Sequence, residues 1–375
     1  MVGRERIDLL FDARHIRQSG IGTYIATLLP HLEQTFSARG LSLAVLVAEG
    51  AEPALQDSTT AIAERQIAPM YSLGEQRVWA RVFESARPRA FWTPHYPFPL
   101  AALRMAGNRP MLFATVHDTL HVMSRDVSGH NAARRMYARA MLKLDVRRCH
   151  TVFTPSDATA SSLTRMAPSA RVMVTPIPVD EEWFKPADPA LAPVSGRYIL
   201  YVGNTKWHKN LPLLLEAYAQ VAQDIPQKLV IAGSGESLRG GDDRVAELAA
   251  RQGDRVVVMG RLDFDVLRSL VASADLLVMP SLHEGAGLPP IEAMAAHTAV
   301  LASGIPALRE TCGDGAEYFD PRDHRALAVL LAKFCLDDAA RGDLAARGWA
   351  HVNARQSSIA FESAAEAVAS ELTRA

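Results

Sequence analysis

DLLVMPSLHEGAGLPPIEAMAAH, residues 275–297, joins three patterns in immediate succession: an apolar strand run, a loop with glycines and prolines, and a helix. LLVM carries no polar residue, which suits a strand covered on both faces of a parallel sheet. Pro289 or Pro290 suits the first helical turn, where a missing N–H costs nothing. Ligands of such sheets bind beyond the carboxyl ends of the strands, so this loop is a place for chemistry. Unpaired N–H groups at a helix start favour an anion, and the helix dipole adds to this. Gly285 and Gly287 allow close backbone approach to a phosphate. Glu292 falls early in the helix, where the dipole favours its ionised form. A carboxylate there can accept hydrogen bonds from a ribose diol, and it is also the position of an ordinary first-turn acid.

The same alternation runs along the chain on both sides. IDLLF (7–11), LSLAVLVA (41–48), MLFATVHD (111–118) and TVFTPS (151–156) read as strands. SGIG (19–22) reads as a loop before the helical pattern TYIATLLPHLEQTF, with a kink or break at Pro30. PADPALAPVSG (186–196) is rich in Pro, Ala and Gly without periodicity and reads as a linker. RYILYVG (197–203), KLVIAGS (228–234), RVVVMG (255–260), DLLVMPS (275–281) and AVLAS (299–303) are strands of a second series. LPLLLEAYAQVAQ, VLRSLVASA and PIEAMAAH are its helices, and the chain beyond about 325 is mostly helical. Two β-α series split by a linker predict two doubly wound α/β domains.

Bulk properties agree. A chain of 375 residues exceeds the usual span of one core. Hydrophobic residues form 49% and charged residues 22%, as in ordinary globular proteins. A formal net charge of −1 gives no global attraction to nucleic acid or acidic lipid. Cys149, Cys312 and Cys335 form no C-x-x-C, so neither a zinc site nor a disulfide framework is indicated, and a reducing cytoplasm fits. MVGRERIDLLFDARH does not read as a signal peptide, and no apolar run is long enough to span a bilayer.

The run E-G-x-G-L-P-x-x-E-A-M-A from Glu284 resembles the E-x7-E segment of retaining family-4 glycosyltransferases of GT-B fold. HTAVLASGIPALRETCGDGAEYFDPRD continues the likeness. Upstream, YVGNTKWHKNLPLLLEAY, LVIAGSGE and VVVMGRLDFDVLRSLVASADLLVMPS are similar to that family in order and spacing. So are GIGTYIATLLPHL, TVHDTLH, TPSDATASSL and VTPIPVD in the first half. The likeness covers roughly residues 7–325, and the E-x7-E block is its specific part.

The resemblance implies two Rossmann-like domains facing across a cleft. These are an acceptor-side domain over 1–188, a nucleotide-sugar domain over 195–348, and a terminal helix, 349–375, crossing back to the first. Glu284 would face the donor sugar, Glu292 would hold the ribose and Lys209 would neutralise the diphosphate. His117 would lie near the sugar from the other domain, where the loop at Gly20 and Gly22 closes over the diphosphate. Gly203, Asn204, Lys206, Gly233, Arg261, Gly285, Gly287 and Leu288 complete the implied donor site. The family often places Arg where Asn204 stands, which leaves Lys206 or Arg261 as second cation. Its common aromatic is Ala286 here, and its small-Gly-Thr-Pro is Ala296-His297-Thr298-Ala299.

The implied reaction is retaining, metal-independent transfer of a hexose from a nucleotide diphosphate sugar to a glycan or lipid-linked glycan. No cofactor is expected. Bacterial mannosyltransferases of surface polysaccharide assembly are most similar, which favours mannose and GDP over UDP. A base-reading loop is expected near Gly260–Leu262. A GT-B-like epimerase or a silent sugar-nucleotide-binding protein is the alternative, and both acids together with Lys209 weigh against the silent reading.

Three further motifs need a reading. His117, Asp118 and His121 lack the additional ligands of a metal set. Asp265 of the D-x-D at 263–265 precedes VLRSLV and reads as a helix N-cap. In AARRMYARAMLKLDVRR (132–148), Arg135, Arg139 and Lys143 share a face beside Met136, Ala140 and Leu144. This is either a solvated helix or a peripheral contact with an anionic membrane at the inner face of the cell membrane.

Overall fold

In the computed structural model, residues 7–16, 19–50, 53–64, 68–105, 109–233, 242, 244–358 and 361–374 are described. The chain divides into two compact units. The first holds Met1–Val122, Ala132–Pro178 and Ile359–Ala375; the second holds Met123–Asn131 and Val179–Ser358.

The first unit is built on strands β1 (Leu9–Asp12), β2 (Leu43–Ala48), β3 (Thr59–Glu64), β4 (Ala90–Thr93), β5 (Met111–Thr115), β6 (Thr151–Thr154) and β7 (Val172–Val174). They form one sheet in the order β3-β2-β1-β4-β5-β6-β7, with every pairing parallel. The second unit is built on β8 (Tyr198–Val202), β9 (Lys228–Ala232), β10 (Val256–Val258), β11 (Leu276–Met279), β12 (Ala299–Ser303) and β13 (Glu317–Phe319). Its order is β10-β9-β8-β11-β12-β13, again parallel throughout. Helices connect the strands, so each unit is doubly wound, with switch points between β1 and β4 and between β8 and β11.

Apart from β4, the inner strands of both sheets are those the apolar runs predict. β1, β2, β11 and β12 are buried along their whole length. The strands missing from that reading are β3, β4, β7 and β13. Three of these are edges, and the edge strands β7 and β13 are only three residues long. β3 reads TTAIAE with alternating exposure. β4 is buried but only four residues long. The helix Leu73–Ala86 buries Val78, Trp79, Val82 and Phe83 on one face, and its start is capped by Ser72 Oγ, which accepts from the Glu75 N–H at 3.2 Å.

Several local expectations are corrected. SGIG is not a loop: the helix Ser19–Ala38 begins there and continues through Pro30 without a break. Tertiary contacts override the low helix propensity of the two glycines. Tyr24 in its second turn is fully buried, accepts a hydrogen bond from Thr115 Oγ1 at 3.0 Å and meets Phe361 edge-on. The N-cap of the helix Phe264–Ala272 is Asp263, not Asp265. Asp265 lies in the first turn and faces Arg268 at 3.6 Å. The Pro-rich stretch 186–196 is no free linker. It belongs to the second unit, forms a 3-10 turn at Pro189–Leu191 and packs on the helix Phe264–Ala272. The passage between units falls at 178/179, and the segment 123–131 goes with the second unit. The helix Asp338–Ser358 stays with the second unit. The helix Ser363–Arg374 packs on Ser19–Ala38 of the first, so the return starts at 359 rather than 349. His297, where the family pattern has glycine, adopts a left-handed φ of 59°. Its ring stacks on Trp349 at 5.3 Å, a contact that offsets backbone strain of about 1–2 kcal/mol.

The helix Ala132–Arg148 exposes Arg139, Lys143 and Met136, the last 72% exposed. Its opposite face buries Asp145 completely, among Leu142, Val146 and Tyr96. Asp145 Oδ2 has no hydrogen-bond partner among the described residues, and Oδ1 meets the Cys149 thiol at 4.0 Å. Burial raises this carboxyl well above its ordinary 3.8. An unfolded chain ionises first, so stability is full below that value and falls as pH rises toward the folded one. Asp145→Asn is therefore expected to stabilise the protein by about 1–3 kcal/mol at pH 8, with the gain shrinking toward pH 4. Urea unfolding at both pH values checks this; an equal gain at both would exclude the ionisation account.

Candidate active site

The loops after β8 and β11 flank the switch point of the second sheet. Lys209 follows β8 in a 3-10 turn, Trp207–Lys209. Asn210 holds that turn in place: at φ 54° its Nδ2 donates to the carbonyls of Pro280 at 3.0 Å and Pro321 at 2.8 Å. The Leu282 N–H donates to the His208 carbonyl at 2.7 Å, which ties the two loops directly. Lys209 Nζ thereby lies 2.7 Å from Glu284 Oε1, with both side chains mostly buried. Ser281 Oγ donates to the same oxygen at 2.6 Å. The ring of Tyr201 is fully buried at the end of β8 and its hydroxyl donates to the Asn204 carbonyl at 2.6 Å. Ser281 and Tyr201 are absent from the sequence-derived site. An S-x-x-E spacing at 281–284 is the signal for the first; nothing in the sequence marks the second.

The glycines sit where the strands end. Gly203, at φ 154°, donates to the Ala232 carbonyl at 2.9 Å, and Gly233, at φ 93°, donates to the Gly260 carbonyl at 3.2 Å. A Cβ on Gly233 would meet the Gly203 nitrogen at 3.3 Å, so the two turns are packed back to back. Ser234–Glu236 of the glycine turn lie outside the described residues. Gly287 caps the helix Leu288–Ala295 at φ 66°, and a Cβ there would lie 2.4 Å from Leu308 Cδ2. Pro289 and Pro290 occupy the second and third helical positions and supply no N–H, so the anion-binding turn expected of this helix start is poorer than a normal one. The amides that remain are those of Gly285, Ala286, Gly287 and Leu288. None of them donates to a protein acceptor among the described residues.

Glu292 departs from the expectation of a first-turn acid. It is the fifth residue of its helix, beyond the reach of the N-terminal dipole. Burial first, and the nearby Asp180 carboxylate second, raise its carboxyl to about 7. No hydrogen bond or ion pair among the described residues joins it to Glu284 or Lys209. Lys206 and Arg261 are both exposed. Lys206 shares a loop with Lys209, whereas Arg261 follows β10, two strands or about 10 Å away across the sheet. The Lys206 N–H is accepted by Asn204 Oδ1 at 3.1 Å, which shapes that loop.

In the first unit, His117 follows β5. Its Nε2 donates to the Pro94 carbonyl at 2.8 Å and its ring meets Tyr24 edge-on at 4.9 Å. Burial, outweighing the Pro94 contact and Asp118, lowers it to about 4. It is thus a neutral imidazole at physiological pH, with Nδ1 as its acceptor. Gly20 and Gly22 have different demands. A Cβ on Gly22 would lie 2.4 Å from the Ile16 carbonyl oxygen, while Gly20 has open space around it. Gly22→Ala is expected to cost about 1–3 kcal/mol through forced backbone movement. Gly20→Ala should change stability by less than about 1 kcal/mol. Equal costs in urea unfolding would refute this contrast.

Known proteins resemble the chain in both halves. The family profile described as Glycosyltransferase Family 4 matches residues 18–183, and that described as Glycosyl transferases group 1 matches residues 187–349. The O-antigen chain mannosyltransferase RfbU of Salmonella typhimurium is 28% identical over 249 residues, spanning 64% of this chain and 69% of that protein. The O-antigen chain mannosyltransferase B of Escherichia coli is 28% identical over 233 residues, spanning 59% and 61%. Among solved structures, a sucrose-phosphate synthase from Thermosynechococcus elongatus superposes with a TM-score of 0.77 at 22% identity, covering 98% of each chain. Anabaena HepE, solved in complex with UDP-glucose, superposes with a TM-score of 0.71 at 18% identity, covering 99% of this chain and 100% of that one. Two family profiles that together span most of the chain, and a shared fold of two Rossmann-like domains, place this protein among the group 1, family-4 glycosyltransferases of GT-B fold.

Proposed function

We propose that the protein transfers a hexose, mannose favoured, from a nucleotide diphosphate sugar to a glycan or lipid-linked glycan in polysaccharide biosynthesis, with retention of configuration. The observation that carries this reading is the Lys209–Glu284 pair beside four unpaired loop amides at the switch point of the second sheet. A diphosphate leaving group gains negative charge as it departs, and fixed N–H donors and a lysine stabilise that charge without rearrangement. Lys209 and the amides of 285–288 take the diphosphate in this reading, with Lys206 as second cation. Gly203 and Gly233, at the ends of the neighbouring strands β8 and β9, leave room for it. Glu284, released from Lys209, accepts hydrogen bonds from the sugar, and Glu292 accepts from the ribose. His117 offers Nδ1 to a sugar hydroxyl. The bond from the anomeric carbon to the phosphate oxygen breaks while the acceptor oxygen bonds on the same face. The acceptor proton passes to the departing phosphate.

GDP is favoured over UDP because the relatives are mannosyltransferases. A thermal-shift screen of GDP-, UDP- and ADP-sugars tests the donor, since a ligand of the folded state raises the melting temperature. Transfer assayed with the stabilising donor and a mannosylated acceptor then tests the reaction; nucleotide release that does not depend on acceptor would refute it. The exposed basic face of the helix Ala132–Arg148, with Met136 beside it, is assigned a peripheral contact with anionic membrane. No helix among the described residues is long and apolar enough to cross a membrane. Flotation with anionic vesicles at low salt should carry the protein upward, and absence of binding there would exclude the contact.

A further inference from the structure

A buried polar cluster at the switch point of the first sheet is used by none of these roles. Asp12 ends β1, with Arg14 and His15 directly after it. His95 follows the adjacent strand β4, and Glu75 lies in the first turn of the helix Leu73–Ala86. All five side chains are buried, at most 3% exposed. Arg14 is committed to Asp12, with Nε 2.9 Å from Oδ1 and Nη2 2.6 Å from Oδ2. Trp79 Nε1 donates to the same Oδ2 at 2.8 Å. One arginine faces two carboxylates in this buried cluster, so apart from the two imidazoles the formal charges sum to −1.

Two imidazoles converge on that carboxylate. His95 Nε2 lies 2.7 Å from Glu75 Oε1 and His15 Nε2 lies 3.7 Å from it. The three ligand atoms are all within 4.8 Å of one another. Glu75 Oε2 accepts the Tyr71 N–H at 2.8 Å, which fixes the plane of the carboxylate. We infer that His15 Nε2, His95 Nε2 and Glu75 Oε1 form a site for a first-row divalent transition metal of the zinc class. Imidazole and carboxylate bind zinc at about 2.0–2.2 Å, which sets ligand atoms roughly 3.3 Å apart around a tetrahedral ion. The two measured separations bracket that value. A proton between His95 and Glu75 links two of the three groups; a divalent ion links all three and offsets the buried charge. The opposing term is Arg14 Nη2, 3.6 Å from Glu75 Oε1, and its hydrogen bonds with Asp12 reduce the repulsion. Two imidazoles with one carboxylate suit zinc, cobalt or iron better than calcium or magnesium, which take oxygen ligands. Occupancy would tie the loop after β1, the helix Leu73–Ala86 and the loop after β4 to one another.

The test uses the full chain, stripped with chelator, equilibrated with Zn²⁺ and desalted. Elemental analysis is expected to show about one zinc per chain, and melting should shift upward with zinc concentration. Co²⁺ in its place should give the visible bands of a low-coordinate site with nitrogen ligands. His15→Asn and His95→Asn should each weaken zinc binding by about 100-fold or more. Less than a tenth of an equivalent retained by the wild type would overturn the site, whether or not the variants fold. Folded variants that bind zinc as the wild type does would overturn it as well, because surface histidines would then hold the ion.

Discussion

Lys209→Ala is expected to lower kcat/KM for sugar transfer by about 10²–10³-fold, the usual loss when one fixed donor to a developing anion is removed, or about 2.7–4 kcal/mol. Most of the loss should appear in kcat, because the leaving diphosphate carries more charge in the transition state than in the bound donor. The fold should survive. Lys209 is mostly buried against Glu284, but Ser281 still donates to Glu284 Oε1 when the lysine is gone. Glu284→Gln should lower the rate too, and the double variant should lose less than the sum of the two single losses. The physical reason is that each group is the other's partner before donor arrives, so each single change also strands a mostly buried charge. Steady-state kinetics on the four proteins, with circular dichroism to confirm folding, tests this. Single variants within fivefold of the wild type would remove Lys209 and Glu284 from the site.

Glu292→Gln is expected to weaken binding of the nucleotide sugar by about 10–100-fold, from loss of charge-assisted hydrogen bonds to the ribose at about 1.5–3 kcal/mol. The wild type should also show a pH dependence that the variant lacks. In the free protein, burial and then Asp180 raise the Glu292 carboxyl to about 7. A ribose diol donating two hydrogen bonds favours the carboxylate, so the bound state has the lower pKa and binding releases a proton. Affinity should therefore rise from pH 5.5 to about 7, by up to roughly tenfold per unit, and level off above it. A nucleotide sugar is the right probe, because its two phosphates stay fully ionised across this range. Calorimetric titration at several pH values measures it. A wild-type affinity independent of pH, or the same slope in Glu292→Gln, would show that this carboxyl does not hold the ribose.

The parts of this protein that could be read from one dimension are those set by local patterns. Apolar runs such as LLVM at 276–279 report burial on both faces, because a strand in the middle of a parallel sheet has no solvent side. Gly287 and Pro289 mark the turn into the next helix, because a left-handed φ and a missing N–H are properties of single residues. These patterns, with the E-x7-E block, suffice for two doubly wound units and for the loops to which the proposed function assigns the donor. Edge strands such as TTAIAE at 59–64 escape this reading, since a strand with one wet side alternates like many loops.

What needed three dimensions is every property that depends on a partner remote in sequence. Lys209 and Glu284 are 75 residues apart, and their ion pair exists because β8 and β11 are neighbours at the switch point. Gly22 looks like a ligand-loop glycine in the sequence, yet its missing Cβ is required by the Ile16 carbonyl. Glu292 looks like an ionised first-turn acid, yet its carboxyl is raised to about 7 by burial and by Asp180, on a separate element. The His15–Glu75–His95 cluster has no motif at all, for its members come from a helix and two loops remote in sequence. Hydrophobic periodicity is a property of neighbours along the chain, whereas charge, protonation and ligand geometry are set by whatever the folded chain brings within a few ångströms.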